Sequence, residues 1–133
     1  MVNWTQSYKY GKGKEGEVLK VIKEYFKNDG IKSNEERYAK YDFTDEEYNY
    51  ELKSRTNTLK YYPTTMITRN KVEDTTKPII LLFNYTDCLA YIEYCAETFQ
   101  QYTTQNFSRL GETWDEKPHL YIPIDHLKII KSY

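Results

Sequence analysis

At 133 residues the chain is long enough to bury one hydrophobic core and too short for two. Hydrophobic residues make up 39% and charged residues 29%, which excludes a disordered chain and a membrane-embedded one, and no run approaches the ~20 apolar residues of a span. A net charge of −1 excludes a surface coated in positive field, so an anionic partner must meet a local basic patch. Two cysteines give no disulfide framework, and Met1-Val2-Asn3-Trp4-Thr5-Gln6 lacks the basic-then-apolar layout of a signal peptide. A soluble protein of the cytoplasm or nucleus, with no membrane partner, is expected.

Taken in chain order, residues 14 to 27 read as a helix, because Val18, Leu19, Ile22 and Phe26 recur with helical spacing and Asn28-Asp29-Gly30 supplies a stop. Arg37 to Phe43 and Tyr48 to Arg55 read as two strands around the turn Thr44-Asp45-Glu46-Glu47, which makes a hairpin. Pro63 with Thr64 and Thr65 signals the entry of a short helix running through Met66, Ile67 and Asn70. Pro78 to Asn84 is a continuous apolar run of the kind buried on both faces at the middle of a sheet, and Cys88 to Tyr94 reads as its antiparallel return. Between Ala96 and Lys117 the pattern is polar, with a helix expected around Glu97 to Gln101 and a loop after it. His119 to Pro123 is a late strand, and Asp125 caps an expected final helix carrying Leu127, Ile129 and Ile130. No repeat or low-complexity linker divides the chain, so residues 1 to 133 form one expected domain.

The chemistry concentrates on the hairpin. Side chains alternate along a strand, so Glu51 and Lys53 emerge on one face with Asn49 and Arg55, while Leu52 points to the other. In a regular hairpin Asp42 lies across from Glu51 or within a residue of it, and two converging carboxylates call for a hard divalent cation, magnesium or manganese, held by carboxylates and by the main-chain carbonyl of Leu52. Lys53 then orients the attacking water. On the first helix Glu15 shares the stripe of Val18, Leu19 and Ile22, which makes it a candidate third acid, whereas Glu17 falls on the opposite face. The glycines at 11, 13 and 16 offer places where a substrate backbone can come close. From Leu52 to Val72 there are five cations (Lys53, Arg55, Lys60, Arg69 and Lys71) and no acid, a local basic footprint. Cys88 and Cys95, like His119 and His126, are seven apart and match no common zinc spacing. Nucleophile-elbow, P-loop and dinucleotide fingerprints are absent, and Trp4 and Trp114 are read as packing residues.

The order Glu15, Asp42, Glu51-Leu52-Lys53 resembles the PD-(D/E)xK, or restriction-endonuclease-like, nuclease superfamily over roughly residues 11 to 84. The resemblance implies an α/β fold, a single domain whose central mixed β-sheet is flanked by helices. It implies Asp42, Glu51 and Glu15 as acids of a magnesium or manganese centre, and Lys53 as the catalytic lysine. Thr64, Thr65, Arg69 and Lys71, with Arg55, are implied contacts to nucleic-acid phosphates. About fourteen residues separate the helix from Asp42, so the first strand should be very short. The expected activity is a metal-dependent endonuclease acting on DNA, in homing, junction resolution, repair or defence. The alternatives are an RNA endonuclease of the same chemistry and an inactive nucleic-acid-binding module of the same fold. Cutting both strands of a duplex calls for two active sites and hence a homodimer.

Overall fold

The computed structural model describes residues 4–36, 38–73, 76–108, 110, 111, 114 and 116–133, with side chains described from residue 14 onward. The chain opens with helix α1 (Trp4–Tyr25), ten residues longer at its start than hydropathy spacing indicated. Gly11, Gly13 and Gly16 lower helix propensity locally and so hide the upstream turns. At its end Phe26 still bonds back to Ile22, then Lys27 turns left-handed with φ +52°. The amide of Asn28 reaches the carbonyl of Lys23 at 2.9 Å and that of Lys27 reaches Glu24 at 3.2 Å, the paired bonds of a Schellman stop.

Three strands follow: β1 (Lys32–Ser33), β2 (Phe43–Thr44) and β3 (Asn49–Ser54). The hairpin is present with Phe43 opposite Tyr50, but its first arm is two residues long, since residues 38 to 42 form turns rather than the expected strand; Arg37 lies outside the described residues. Asp45 closes the turn. Its carboxylate accepts the amides of Glu47 and Tyr48 at 2.7 and 2.6 Å and the Tyr50 hydroxyl at 2.6 Å.

Between β3 and the next strand of its sheet runs a crossover that carries β4 (Thr64–Thr68) and a 3-10 turn over Arg69–Val72. The helix expected after Pro63 is therefore a strand. Four of its five residues are β-branched, and it pairs with β8 (Lys117–Pro123). Strand β5 (Ile79–Asn84) lies parallel to β3, with all six residues buried. Strand β6 (Cys88–Glu93) returns antiparallel to it, as expected. Helix α2 (Ala96–Phe99) leads into β7 (Thr103–Phe107), a polar strand where a loop was expected, which pairs with β8. The last segment is also a correction: β9 (Lys128–Ser132) pairs with β6 where Asp125 suggested a helix start.

The result is a small α/β domain with few helices, built on a six-stranded mixed sheet in the order β1-β2-β3-β5-β6-β9. The side chains of Tyr50, Leu52, Ile80 and Leu82 face α1 and pack on Val18 and Ile22. The opposite face, with Ile79, Leu81 and Phe83, is covered by Ile67, Leu120 and Ile122 of the three-stranded sheet β4-β8-β7. Helix α1 therefore covers one face of the central sheet, and the four-residue α2 adds only Phe99 to the opposite one. A second sheet takes the other side because β4 and β8 present their own buried apolar residues to it. Among the described residues no helix is long and apolar enough to cross a membrane.

Candidate active site

Asp42 sits one residue before β2, where the hairpin ladder ends. Its amide bonds to the carbonyl of Tyr50 at 3.0 Å, and its Oδ2 accepts the amide of Leu52 at 2.8 Å, so the carboxylate completes the ladder that the main chain leaves open. A strand residue sends its amide and its carbonyl to the same side. The Leu52 carbonyl therefore emerges beside Asp42. The amide of Asn34 holds the Asp42 carbonyl at 3.0 Å, and the Asn34 side chain holds that of Tyr41 at 2.8 Å, which fixes the incoming loop.

Glu51 is paired in register with Leu81 of β5 and is only 4% exposed. It lies on the sheet face turned toward β4 and β8, amid apolar neighbours. Burial and then the nearby Asp42 carboxylate push its acid up to about 7, against the opposing pull of Lys53 and Lys71. The two ammonium groups bracket it: Lys53 Nζ stands 3.5 Å from Oε1 and Lys71 Nζ 3.4 Å from Oε2. Lys71 arrives from the crossover, and its position is over-determined. Its Nζ donates to the Lys40 carbonyl at 2.7 Å, and its own carbonyl accepts the Tyr41 hydroxyl at 2.6 Å. Burial and the Glu51 charge push the Tyr41 phenol up to about 12, so it remains a proton donor there.

The geometry brings Asp42, Glu51 and Lys53 together and adds Lys71, which the sequence had suggested only as a phosphate contact. Glu15 is half-buried on α1, the helix whose Val18 and Ile22 pack on the other face of the sheet. Among the described residues no three His, Cys, Asp or Glu side chains converge, so Glu15 does not complete a carboxylate triad with the other two. Helical phase identifies the buried stripe of a helix but not which face of a sheet that stripe meets. Of the glycines on α1, Gly16 has open space around it rather than a close neighbour.

The five cations of the basic stretch disperse. Arg55 Nη2 donates to the Met66 carbonyl at 2.7 Å and its guanidinium lies over the Phe83 ring, tying β3 to β4. Thr65 is buried beneath it and Thr64 is half-buried, while Arg69 pairs with Glu73 at 3.0 Å. Lys60 is exposed on a 3-10 turn. A groove of about 680 Å³ begins at Lys53 and runs between β3, β4, β7 and β8. A larger hollow, about 950 Å³, lies at the far end of the hairpin around Asp45. There burial raises the Asp45 acid, but hydrogen bonds from Tyr50, Tyr48 and Glu47 and the charge of Lys77 outweigh it and hold the group below its ordinary value. Its lone pairs are committed to the turn.

Trp114 is exposed rather than packed, and the Trp4 side chain lies outside the described residues. Comparison with protein-family models, characterised proteins and solved structures gives no match to this chain.

Proposed function

We propose that this chain is a divalent-metal-dependent nuclease with a restriction-endonuclease-like active site, hydrolysing phosphodiester bonds in nucleic acid, with DNA as the first substrate to test. The observation that carries the reading is the Asp42–Glu51 pair. A carboxylate this deeply buried beside a second one is held close to half-protonated near neutral pH. Such a pair, with the Leu52 carbonyl at the same strand edge, is a donor set of hard oxygens that fits magnesium or manganese. When bound, the metal supplies Lewis-acid stabilisation and a lowered pKa for the attacking water.

The protein's own groups do the rest. Lys53 stands at the mouth of the groove, about one-third exposed, where its ammonium can hold the attacking water and meet charge developing on a phosphate oxygen. Lys71, less exposed and anchored through Lys40, favours ionised Glu51 and fixes its direction. Arg55 and Thr65 hold the groove wall in place.

A second reading, a nucleic-acid-binding module without catalysis, is favoured by the pairing of Glu51 with both lysines and by the lack of a third converging acid among the described residues. Incubation of the purified protein with manganese or magnesium and single-stranded DNA, duplex DNA, four-way junctions or RNA separates the two. Cleavage that a chelator abolishes is the expected result. The substrate cut tells DNA from RNA chemistry, and a double-strand cut implies two copies of the chain. Binding without cleavage of any substrate, with no metal binding by calorimetry, rejects the enzyme.

A further inference from the structure

We infer that the groove leading away from Lys53 seats an unpaired nucleic-acid strand, with Phe107 as the platform for a base and Lys53 and Lys117 as contacts to flanking phosphates. This rests on the nuclease reading for its direction but not for its evidence. The groove is lined by cationic Lys53, Arg55 and Lys117, by His119 and Thr68, and by the Phe107 ring, with no carboxylate among its described lining residues. In a chain of net charge −1, an acid-free concavity with three cations marks an anionic occupant.

The second observation is the aromatic side chain set into that cationic wall. Phe107 ends strand β7, is 37% exposed, and stands edge-on to His119 with ring centroids 5.5 Å apart. His119 is buried, and its Nδ1 lies 2.8 Å from the Lys117 carbonyl. A carbonyl only accepts, so Nδ1 carries the proton and the imidazole is locked in orientation. The Phe107 ring thus has a rigid backing and an open side. Past Phe107 the groove continues into a second hollow of about 470 Å³, which shares Arg55 and Phe107 with the first and is walled by Tyr62, Tyr85 and Tyr121. Cations beside exposed rings, here Lys53, Arg55 and Lys117 with Phe107 and Tyr62, are how proteins hold single strands, since every base has a face to stack and every linkage a charge. Paired bases keep their faces inside the duplex, so this track selects unpaired nucleotides.

The test is fluorescence anisotropy of labelled single-stranded DNA, single-stranded RNA and duplex DNA with the full chain in chelator, where the proposed cleavage cannot proceed. Phe107→Ala and Lys117→Ala, both at exposed positions, are compared with Lys128→Ala on the distant strand β9. Single strands should bind more tightly than duplex, and Phe107→Ala should weaken them about tenfold. Lys117→Ala should reduce the salt dependence by about one phosphate contact, and Lys128→Ala should leave binding unchanged. DNA and RNA arms identify the sugar. Equal binding by wild type and Phe107→Ala, or a preference for duplex, overturns the inference. Phe107-dependent binding without cleavage under metal supports the groove while rejecting the nuclease; metal-dependent cleavage with binding indifferent to Phe107 does the reverse.

Discussion

Replacing Glu51 by glutamine should make the protein more stable at pH 8, in chelator, although it removes both ion pairs of a buried group. The folded chain holds the Glu51 acid near 7 instead of 4.5, chiefly through burial and then through Asp42. At ~1.4 kcal/mol per pH unit this difference corresponds to roughly 3 kcal/mol in favour of the protonated form. Because the folded value is raised, the stabilising contribution is fully present below about 4.5 and is lost as pH rises through about 7. Glutamine mimics the protonated acid at every pH, so its benefit over wild type should be near zero at pH 4.5 and up to about 3 kcal/mol at pH 8. Urea unfolding followed by tryptophan fluorescence across this range measures it. Comparison of wild type with the variant cancels the contribution of every other titratable group. Manganese at pH 8 should stabilise wild type and not Glu51→Gln. An identical pH dependence for the two proteins, or a variant less stable at pH 8, would instead make Glu51 an ionised anchor for its lysines.

Lys71→Met should cost about 2 kcal/mol at pH 8, where it strips a partner from a buried ionised carboxylate, and much less at pH 5, where Glu51 takes up a proton; paired urea titrations check this, and a pH-independent loss contradicts it. Asp45→Asn should lower stability by about 2 kcal/mol at pH 7, because Tyr50, Glu47, Tyr48 and the Asn28 amide all donate to the native carboxylate. The Asp45 acid is held below 3.8, so the charge-dependent part of that difference should be present above 3.8 and fade as pH falls through the folded value. Thermal melts at pH 7 and pH 2.5 read it.

The parts of the fold legible in sequence are those where side-chain pattern and burial coincide. Strand β5 is apolar at every position except Asn84 because both its faces are covered, and the hairpin declares itself through Asp45 and the alternation from Asn49 to Ser54. Strands β4 and β9 elude local spacing because Pro63 and Asp125 resemble helix entries, whereas tertiary pairing with β8 and β6 decides the outcome for such short segments. Strand β7 carries no apolar alternation, since all five of its residues are exposed, and only its ladder to β8 makes it a strand. At the site, alternation alone places Glu51 and Lys53 on one face. Lys71 is legible only after the crossover is traced, and Glu15 depends on which face of the sheet receives α1. The groove past Lys53 needed β7 and β8 side by side, a pairing that no local spacing announces.

Lys53 is the residue on which the hydrolytic reading turns, and its removal should disturb chemistry without disturbing the core, since its side chain is one-third exposed. The most direct measurement is the rate at which wild type and Lys53→Ala cleave the same oligonucleotide under saturating manganese, with melting temperatures compared in the same buffer. Lys53→Ala should lose about a hundredfold or more in rate with the fold intact. Equal rates for the two proteins would contradict it.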